Sequence, residues 1–478
     1  MVNALLRPLL SGYLARLLEE LRRRGFRGTL LVMQSSGGVA GVEQAVERPA
    51  AFIESGPAAG AVAAAYFSRL MGVEHAVGFD MGGTTAKAVA VVGGEPLVVG
   101  EYEVGGRAHM GRKLRGSGYP VRYPFIDLVE VSAGGGSIAW VDAGGALRVG
   151  PVSAGSDPGP ACYGRGGREP TVTDAQLVLG RLPEALAGGV LRLRRDLALE
   201  ALTGLGEKLG MDLVEAAAAV VRIANTIMAR ALRIVTVERG YDPRRFTLYA
   251  YGGAGPLHAA ELAGELGMER VVVPPMPGVF SALGLLLTDY RHDLHAAVAR
   301  AAGEVSEEEL DRVFESLAEK ALAMLRAEGV PGNKIVMTRS LEMRYMGQAY
   351  SITVPYRGSL GEAVEEFHRL HEARYGYRLR EAPVFIVAAR LTAYGRTGKP
   401  RLPQGEPRPH RPEPRGRRRV YFEEAGWVEA PVYWRPLLRP GAEITGPAVV
   451  EEEDSTVLVP PGHAARVDGL YALHIERV

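Results

Sequence analysis

The chain has 478 residues, with 47% hydrophobic and 23% charged side chains and a formal net charge of +1. A chain of this length typically forms about three domains, and its near-neutral charge argues against nucleic acid or an anionic membrane as a partner. No apolar run reaches the roughly 18 residues of a membrane span, and no signal-peptide pattern is visible. The single cysteine, Cys162, excludes an internal disulfide and a multi-thiolate metal site, so we expect a cytoplasmic protein.

The N-terminal part of the chain alternates helix and strand patterns. Leu5–Arg24 has apolar residues at helical spacing, which predicts an amphipathic helix, and Thr29–Met33 has the composition of a buried strand. A turn rich in serine and glycine follows at Ser35–Gly38. Pro57 then precedes Ala58–Arg69, where small residues predict a helix that packs closely against a sheet.

A strand, a glycine turn and a second strand follow at Gly78–Val92. Asp80 ends the first strand, where a carboxylate is placed to hold a hydrated Mg²⁺. The turn offers unobstructed backbone N–H groups, two hydroxyls and one ammonium group, which together favour an anion such as phosphate. These residues are Gly82, Gly83, Thr84, Thr85 and Lys87. The alternative for this stretch alone is a glycine hairpin with an exposed acid.

Two more glycine turns follow predicted strands. The second turn comprises Gly134, Gly135, Gly136 and Ser137, and the third comprises Gly252, Gly253, Ala254 and Gly255. We expect the first two turns to clasp phosphates from opposite sides. The third leads into a predicted helix, whose N-terminus favours an anion or lets a flat ring approach the backbone. Since neither a Walker string nor a convincing GxGxxG is present, the turns predict a nucleotide clamp between two lobes.

Four further residues in the motif loops carry groups that could be functional, and two of them have two interpretations each. Asp174 either caps a helix that begins near Thr173 or takes part in catalysis. His258, early in the helix after the third turn, is either a general base or a histidine bonded to a nearby carbonyl. Asp157 before a proline is typical of a turn, and the Cys162 thiol is typical of a buried structural residue.

Each of two charged segments is either part of a functional site or a solvated loop. Gly105–Tyr123 combines many glycines with basic residues that include Arg107, Arg112, Lys113 and Arg115, which predicts a mobile surface loop that is either a lid or simply solvated. His292 and His295, with Asp289 and Asp293, form either a metal site or, as we prefer, a solvated loop.

The pattern changes after residue 306 and again near residue 397. Over residues 306–396, helices predicted at 307–327 and 361–375 alternate with predicted strands, which indicates a separate α+β domain. Residues 397–418 are rich in proline and arginine and predict a linker. Short apolar–polar alternations over 419–478 predict a small C-terminal all-β domain. The preceding residues, 1–295, then form the α/β core.

Long motifs along the whole chain resemble one family, the ATP-dependent hydantoinase A, 5-oxoprolinase and acetone carboxylase β-subunit family. The most specific are VGPVSAGSDPGPACYGRGG at Val149–Gly167 and TVTDAQLVLGRL at Thr171–Leu182. The others are DMGGTTAK at Asp80–Lys87, AGGGS at Ala133–Ser137, YGGAGPLHA at Tyr251–Ala259, VPPMPGVFSALGLL at Val273–Leu286, RYMGQ at Arg344–Gln348 and GPAVVEEEDST at Gly446–Thr456.

The resemblance implies an RNase-H-like core of the actin, hexokinase and Hsp70 type for residues 1–295, with ATP and Mg²⁺ or Mn²⁺ in a cleft. It implies that Asp80 holds the metal and that Thr84, Thr85 and Lys87 bind phosphate. Gly82, Gly83 and the second turn then complete the phosphate site, and Gly252 and Gly253 face the adenosine. Asp80, Lys87, His258 and Asp174 are the candidate catalytic residues.

The implied reaction is ATP-driven phosphorylation of an amide or lactam carbonyl, followed by hydrolytic ring opening. The alternatives are a β-type subunit of a ketone carboxylase and a non-catalytic scaffold. We expect a second subunit of the hydantoinase B type. Because family members usually begin with another lobe, we also expect a separate polypeptide to supply it, unless the chain is truncated.

Overall fold

The computed structural model describes residues 1–105 and 117–478, and between them only the backbone pairing of Ala108–His109 with Arg112–Lys113. The central part of the predicted basic loop Gly105–Tyr123 therefore lies outside the described residues. Within the described ranges, none of the helices combines the length and the apolar character that crossing a bilayer requires.

The described residues form two units. The larger unit consists of Gly56–Leu286 and Pro400–Val478, and the smaller unit consists of Met1–Ser55 and Leu287–Lys399. This grouping differs from the boundaries expected from the sequence, because the first 55 residues are grouped with residues 287–399 rather than with the core. The four-part domain division stays a prediction.

A mixed sheet forms the centre of the larger unit. Its core strands, in chain order, are β1 (His75–Met81), β2 (Ala86–Val92), β3 (Leu128–Val131), β4 (Thr247–Tyr251) and β5 (Arg270–Val273). They lie in the order β3-β2-β1-β4-β5. Strands β1, β4 and β5 are parallel, and β2 is antiparallel to both β1 and β3. The carboxyl ends of β1 and β4 therefore meet at one edge, where the first and third glycine turns begin.

Three C-terminal strands extend this sheet beyond β5. They are β6 (Glu443–Thr445), β7 (His463–Val467) and β8 (Leu473–Arg477), in the spatial order β5-β8-β7-β6. A second, four-stranded sheet contains Gly416–Phe422, Gly426–Trp434, Ala448–Glu451 and Thr456–Val459. Residues 419–478 thus divide between two sheets of the larger unit. Alternation in the sequence identifies strands, but it does not identify the sheet that each strand joins.

The helices that lie wholly or almost wholly in the larger unit are α1 (Ser55–Met71), α2 (Val172–Val178), α3 (Arg195–Leu209), α4 (Leu213–Val235), α5 (Gly255–Leu266) and α6 (Phe280–Leu287). Helix α4 packs against β2, β3, α2 and α5. Its alanines Ala217, Ala224 and Ala231 are buried, so the helix approaches its neighbours closely. A capping box of Asp212 and Glu215 fixes where α4 starts.

Shorter strands complete the larger unit. They are Glu95–Pro96, Val98–Val99, Tyr102–Val104, Tyr119–Val121, Phe125–Ile126, Ser137–Val141, Leu147–Ser153, Ala185–Leu186 and Leu191–Arg192. Tyr119–Val121 pairs with Tyr102–Val104, so the described ends of the predicted basic loop form a two-stranded ladder.

The smaller unit contains one six-stranded sheet. Its strands, in spatial order, are Leu31–Met33, Val39–Gly41, Tyr290–Ala301, Val384–Gly395, Ile335–Tyr345 and Ile352–Pro355. Its helices are Val2–Arg23, Val42–Glu47, Glu307–Ala327 and Leu360–Tyr375. The loop predicted around His292 is wrong, because Tyr290–Ala301 is a strand and His292 is buried against Glu328, at 2.7 Å from its Oε2.

Candidate functional site

Asp80 lies near the carboxyl end of β1, beside two residues of neighbouring strands. Lys87 of β2 and Tyr251 of β4 are its register partners. Burial raises the pKa of the Asp80 carboxyl, while the Lys87 charge and the Ser281 hydroxyl, which lies 3.4 Å from Oδ2, lower it. Asp80 is therefore a partly desolvated acid at the sheet edge where the glycine turns begin.

The second glycine turn lies directly beneath the first. Gly135 N donates to Gly82 O at 3.1 Å, and Gly136 N donates to Gly83 O at 2.6 Å. A Cβ at Gly134 would come within 2.5 Å of the Thr84 backbone, so only glycine allows the two turns to approach this closely. These contacts pack the two turns directly against each other, without a gap between them for a phosphate.

The second turn has no N–H group left for a ligand. Gly134 N donates to Ser137 Oγ at 2.9 Å, and Ser137 N donates to Gly134 O at 3.0 Å, while the two amides between them bond to the first turn. All four residues are buried. The Thr173 hydroxyl and amide, both at 2.8 Å from Gly135 O, attach the turn to α2. The turn thus supports the first turn from behind rather than facing it across a ligand.

The first turn presents the exposed donors. Gly83 and Thr84 are exposed, and within residues 1–105 and 117–478 no backbone acceptor is bonded to their amides. Lys87 Nζ donates to Thr85 Oγ1 at 3.0 Å and lies 3.4 Å from Glu130 Oε1 on β3. The arrangement offers two backbone N–H groups, two threonine hydroxyls and one ammonium group beside a carboxylate.

The third turn packs on the end of β1. Ala254 N donates to Met81 O at 3.0 Å, and Gly252 N donates to Pro277 O at 2.8 Å. Gly252 has a φ of +79°, and a Cβ there would lie closer than 3.0 Å to Asp80 Oδ1. Gly253 is exposed. The three turns therefore surround the carboxyl end of β1.

Asp174 is engaged entirely by the protein. Its carboxylate accepts hydrogen bonds from Cys162 N at 2.8 Å, Ala161 N at 3.3 Å, and Thr171 N and Oγ1 at 2.9 and 2.7 Å. It forms a capping box at the start of α2 and is fully buried. Of the two interpretations of this residue, the geometry favours the helix cap. Burial also raises the pKa of the Cys162 thiol, which is consistent with a structural role.

His258 lies inside a buried polar network between helices. Its Nδ1 is 2.6 Å from Asn225 Oδ1 on α4, and its Nε2 is 3.2 Å from Gln176 Nε2 on α2. Asn225 Nδ2 donates to Glu261 Oε2 at 2.6 Å, which orients the amide. Burial, and to a lesser extent the charge of Arg181, lowers the pKa of His258 to about 3. The ring is therefore a neutral link between α2, α4 and α5, and no face of it is open to a substrate.

Comparison with known proteins identifies the family. Residues 1–294 match the model of the hydantoinase/oxoprolinase family, and residues 298–478 match that of the hydantoinase/oxoprolinase C-terminal domain. The chain belongs to the hydantoinase/oxoprolinase family. The resemblance inferred from the motifs is thereby confirmed.

Relatives span the whole chain. An uncharacterized protein of Methanocaldococcus jannaschii is 53% identical over 100% of this chain and 69% of its own length. The caprolactamase subunit alpha of Pseudomonas jessenii is 35% identical over 98% of this chain and 67% of its own length. The chain thus spans about two thirds of these family members.

Two solved structures confirm a mixed α/β fold. The crystal structure of the ATP-dependent caprolactamase from Pseudomonas jessenii has a TM-score of 0.83 and 33% identity, over 99% of this chain and 69% of that chain. The nucleotide-free structure of acetone carboxylase has a TM-score of 0.77 and 26% identity, over 97% of this chain and 67% of that chain.

Sequence reasoning missed an acidic loop at the third turn. Asp454 contacts Gly278, and its backbone oxygen lies beside Gly253. Glu452, two residues earlier, lies 3.1 Å from the buried Arg435. Burial raises the pKa of Glu452 to about 7, and the Arg435 charge opposes that rise. The family motif at Gly446–Thr456 was the available signal, but no role could be derived from its letters.

Proposed function

We propose that the larger unit is an RNase-H-like nucleotide lobe and that the chain is an ATP-dependent subunit that activates an amide or lactam carbonyl for hydrolysis. The strand order β3-β2-β1-β4-β5 with an antiparallel β2 supports the fold assignment. The observation that carries the proposal is the convergence of the three glycine turns on Asp80.

The residues at this edge fit a nucleotide and its metal. A single carboxylate suits Mg²⁺, which keeps most of its water and binds one or two protein oxygens plus phosphate. Within the described residues, no three His, Cys, Asp or Glu side chains cluster as metal ligands, so Asp80 would hold Mg²⁺ or Mn²⁺ largely through water. The metal would neutralise phosphate charge during transfer.

Each part of the first turn then has a role. The amides of Gly83 and Thr84 and the hydroxyls of Thr84 and Thr85 donate to phosphate oxygens. Lys87 adds a positive charge that is partly offset by Glu130. Gly82 and the buried second turn hold this loop in place, and Gly252 and Gly253 leave the space in which adenosine lies against the backbone.

The chemistry follows from the stability of amides. Resonance makes an amide or lactam carbonyl a poor electrophile, and transfer of the γ-phosphoryl group to its oxygen creates a leaving group. Water then adds to the carbon, the nitrogen takes up a proton and leaves as the amine with its C–N bond broken, and hydrolysis of the remaining acyl phosphate releases phosphate and the carboxylate. The chain contributes positioning and charge stabilisation, which dominate catalysis of phosphoryl transfer. His258 and Asp174 contribute to the scaffold rather than to proton transfer.

Partners are part of the proposal. One relative is named caprolactamase subunit alpha and another acetone carboxylase beta subunit, so both names describe proteins that act in complexes. We infer that this chain works with a hydantoinase B-type subunit. Ketone carboxylation is the second candidate, supported by the fold shared with acetone carboxylase. The non-enzymatic alternative is a subunit that serves only as a scaffold for a partner enzyme.

Isothermal titration of the full chain with Mg-ATP, alone and with its co-purified partners, tests the nucleotide site. Asp80→Asn should abolish binding, whereas Asp196→Asn, an exposed acid on α3, should leave it unchanged. Release of ADP in the presence of hydantoin, 5-oxoproline, caprolactam or acetone then identifies the substrate class. Absence of heat under every condition would favour the scaffold.

A further inference from the structure

The carboxylate of Asp454 lies at the outer side of the third glycine turn. A Cβ on Gly278 would come within 2.5 Å of its Oδ2, and the Asp454 backbone oxygen lies 3.3 Å from the Cβ position of Gly253. The Cβ position of Gly252, the neighbour of Gly253, lies closer than 3.0 Å to the Asp80 carboxylate oxygen Oδ1. The Asp80 carboxylate therefore lies beside Gly252, and the Asp454 backbone lies beside Gly253. The Asp454 carboxylate lies at Gly278, next to Pro277, whose backbone oxygen accepts from Gly252 N.

The loop that carries Asp454 is attached to the larger unit by a buried arginine. Arg435 pairs with Glu452 and donates through Nη2 to Val273 O at 2.8 Å and Pro274 O at 2.7 Å. Val273 ends β5, and the loop that follows it leads to Gly278. The buried arginine thus ties the acidic loop to the loop that faces the third turn, while the Asp454 side chain itself remains exposed.

The chemistry of a carboxylate limits what it binds beside a nucleotide. An ionised carboxylate only accepts hydrogen bonds, and it repels phosphate. Its ligand at this turn must therefore be a neutral donor on the part of the nucleotide that lies away from Asp80. A ribose carries two adjacent hydroxyls, and a carboxylate that accepts from ribose hydroxyls is a known means of nucleotide recognition in other folds.

We propose that Asp454 accepts hydrogen bonds from the ribose hydroxyls of the bound nucleotide and makes this chain selective for ribonucleotides. The inference rests on the proposed nucleotide site and adds a specificity residue to it. Gly278 takes part because only glycine leaves room for the carboxylate at this position.

Isothermal titration with Mg-ATP, 2′-deoxyATP, 3′-deoxyATP and ITP tests the proposal on the full chain with its co-purified partners. We expect the wild-type protein to bind at least one deoxy nucleotide about 10-fold or more weakly than ATP, because a hydrogen bond to a charged group is lost. Asp454→Asn should weaken ATP by a similar factor and abolish the preference for ribose. Gly278→Ala should do the same by displacing the carboxylate.

Glu453→Gln is the matched control, since this neighbouring acid contacts Gly188 rather than the glycine turns. Binding of ATP without any ribose preference in the wild type overturns this inference alone. If the losses of affinity caused by Asp454→Asn and by deoxyATP simply added, the carboxylate would not bind the ribose and the inference would be overturned. A loss of affinity confined to ITP would also overturn it, because it would place the carboxylate on the adenine amino group. Failure of the wild type to bind any nucleotide would overturn the proposed function as well.

Discussion

The Asp80 carboxylate rests on the backbone of Gly252. Asp80 is the second-last residue of β1, and Gly252 directly follows the adjacent parallel strand β4. A Cβ at Gly252 would lie closer than 3.0 Å to both Asp80 Oδ1 and Met81 O. The φ of +79° at Gly252 adds a conformation that side-chain-bearing residues avoid. Asp80 can therefore occupy its observed position only because residue 252 in the third turn has no side chain.

Replacing Gly252 should damage both stability and nucleotide binding. We expect Gly252→Ala to lower the free energy of unfolding by about 2–3 kcal/mol, because the left-handed backbone and the steric overlap both oppose the new methyl group. We also expect loss of Mg-ATP binding, because Asp80 must move. Urea unfolding and calorimetric titration measure the two effects. Gly264→Ala is the control, since this exposed glycine of α5 has no atom near its Cβ position, and it should stabilise by about 0.5–1 kcal/mol.

The second turn should be essential although it faces no ligand. A Cβ on Gly134 would overlap the Thr84 backbone, which cannot move without distorting the first turn. We expect Gly134→Ala to weaken Mg-ATP binding by about 10-fold or more, equivalent to roughly 1.4 kcal/mol. Gly83→Ala should be tolerated by the fold, because no atom lies within 4 Å of its Cβ position. Equal binding by Gly134→Ala and the wild type would contradict the supporting role.

The sequence predicted the elements well where periodicity and caps agreed. The helix expected over residues 307–327 begins after the capping residue Ser306 and has those bounds in the structure. The convergence of the glycine turns was also predictable, because turns at the ends of parallel strands meet at one edge. These conclusions need only local pattern and strand direction.

The role of each glycine was not predictable. A glycine that exposes its amide to a ligand and one that lets another backbone approach have the same letter, so the burial of Gly134–Ser137 was missed. The choice between the two interpretations of His258 could not be made from the sequence, because its hydrogen-bond partners Asn225 and Gln176 are distant in sequence. The contact of Asp454 with Gly278 likewise depends on a long-range approach.

His258 should make stability depend on pH in the acid range. Its pKa is lowered from 6.5 to about 3 in the folded protein, so below pH 6.5 the unfolded chain binds a proton that the folded protein does not. Stability is therefore complete above pH 6.5 and is lost towards pH 3, by up to about 1.4 kcal/mol per pH unit. Urea unfolding from pH 4 to 7 should show a shallower slope for His258→Gln than for the wild type. Parallel curves for the two proteins would argue that His258 is charged when folded.

Asp174 should act on stability rather than on chemistry. Its carboxylate accepts four buried hydrogen bonds, so Asp174→Asn should lower the free energy of unfolding by about 2–4 kcal/mol. Glu215→Gln provides the control, because Glu215 has the same capping-box position in α4 but is exposed. We expect the control to lose about 0.5–1 kcal/mol. If the Asp174 variant kept wild-type stability but lost turnover, the catalytic interpretation would be restored.

Glu130 should weaken the anion site by competing for Lys87. The two side chains lie 3.4 Å apart and are each partly exposed, so their attraction is worth about 0.2–1 kcal/mol. Removing the carboxylate leaves the Lys87 charge free for phosphate. We expect Glu130→Gln to tighten Mg-ATP binding by about 2- to 5-fold at low salt, less at high salt, and Lys87→Met to weaken it. Weaker binding by Glu130→Gln would instead show that Glu130 orients the ammonium group towards Thr85.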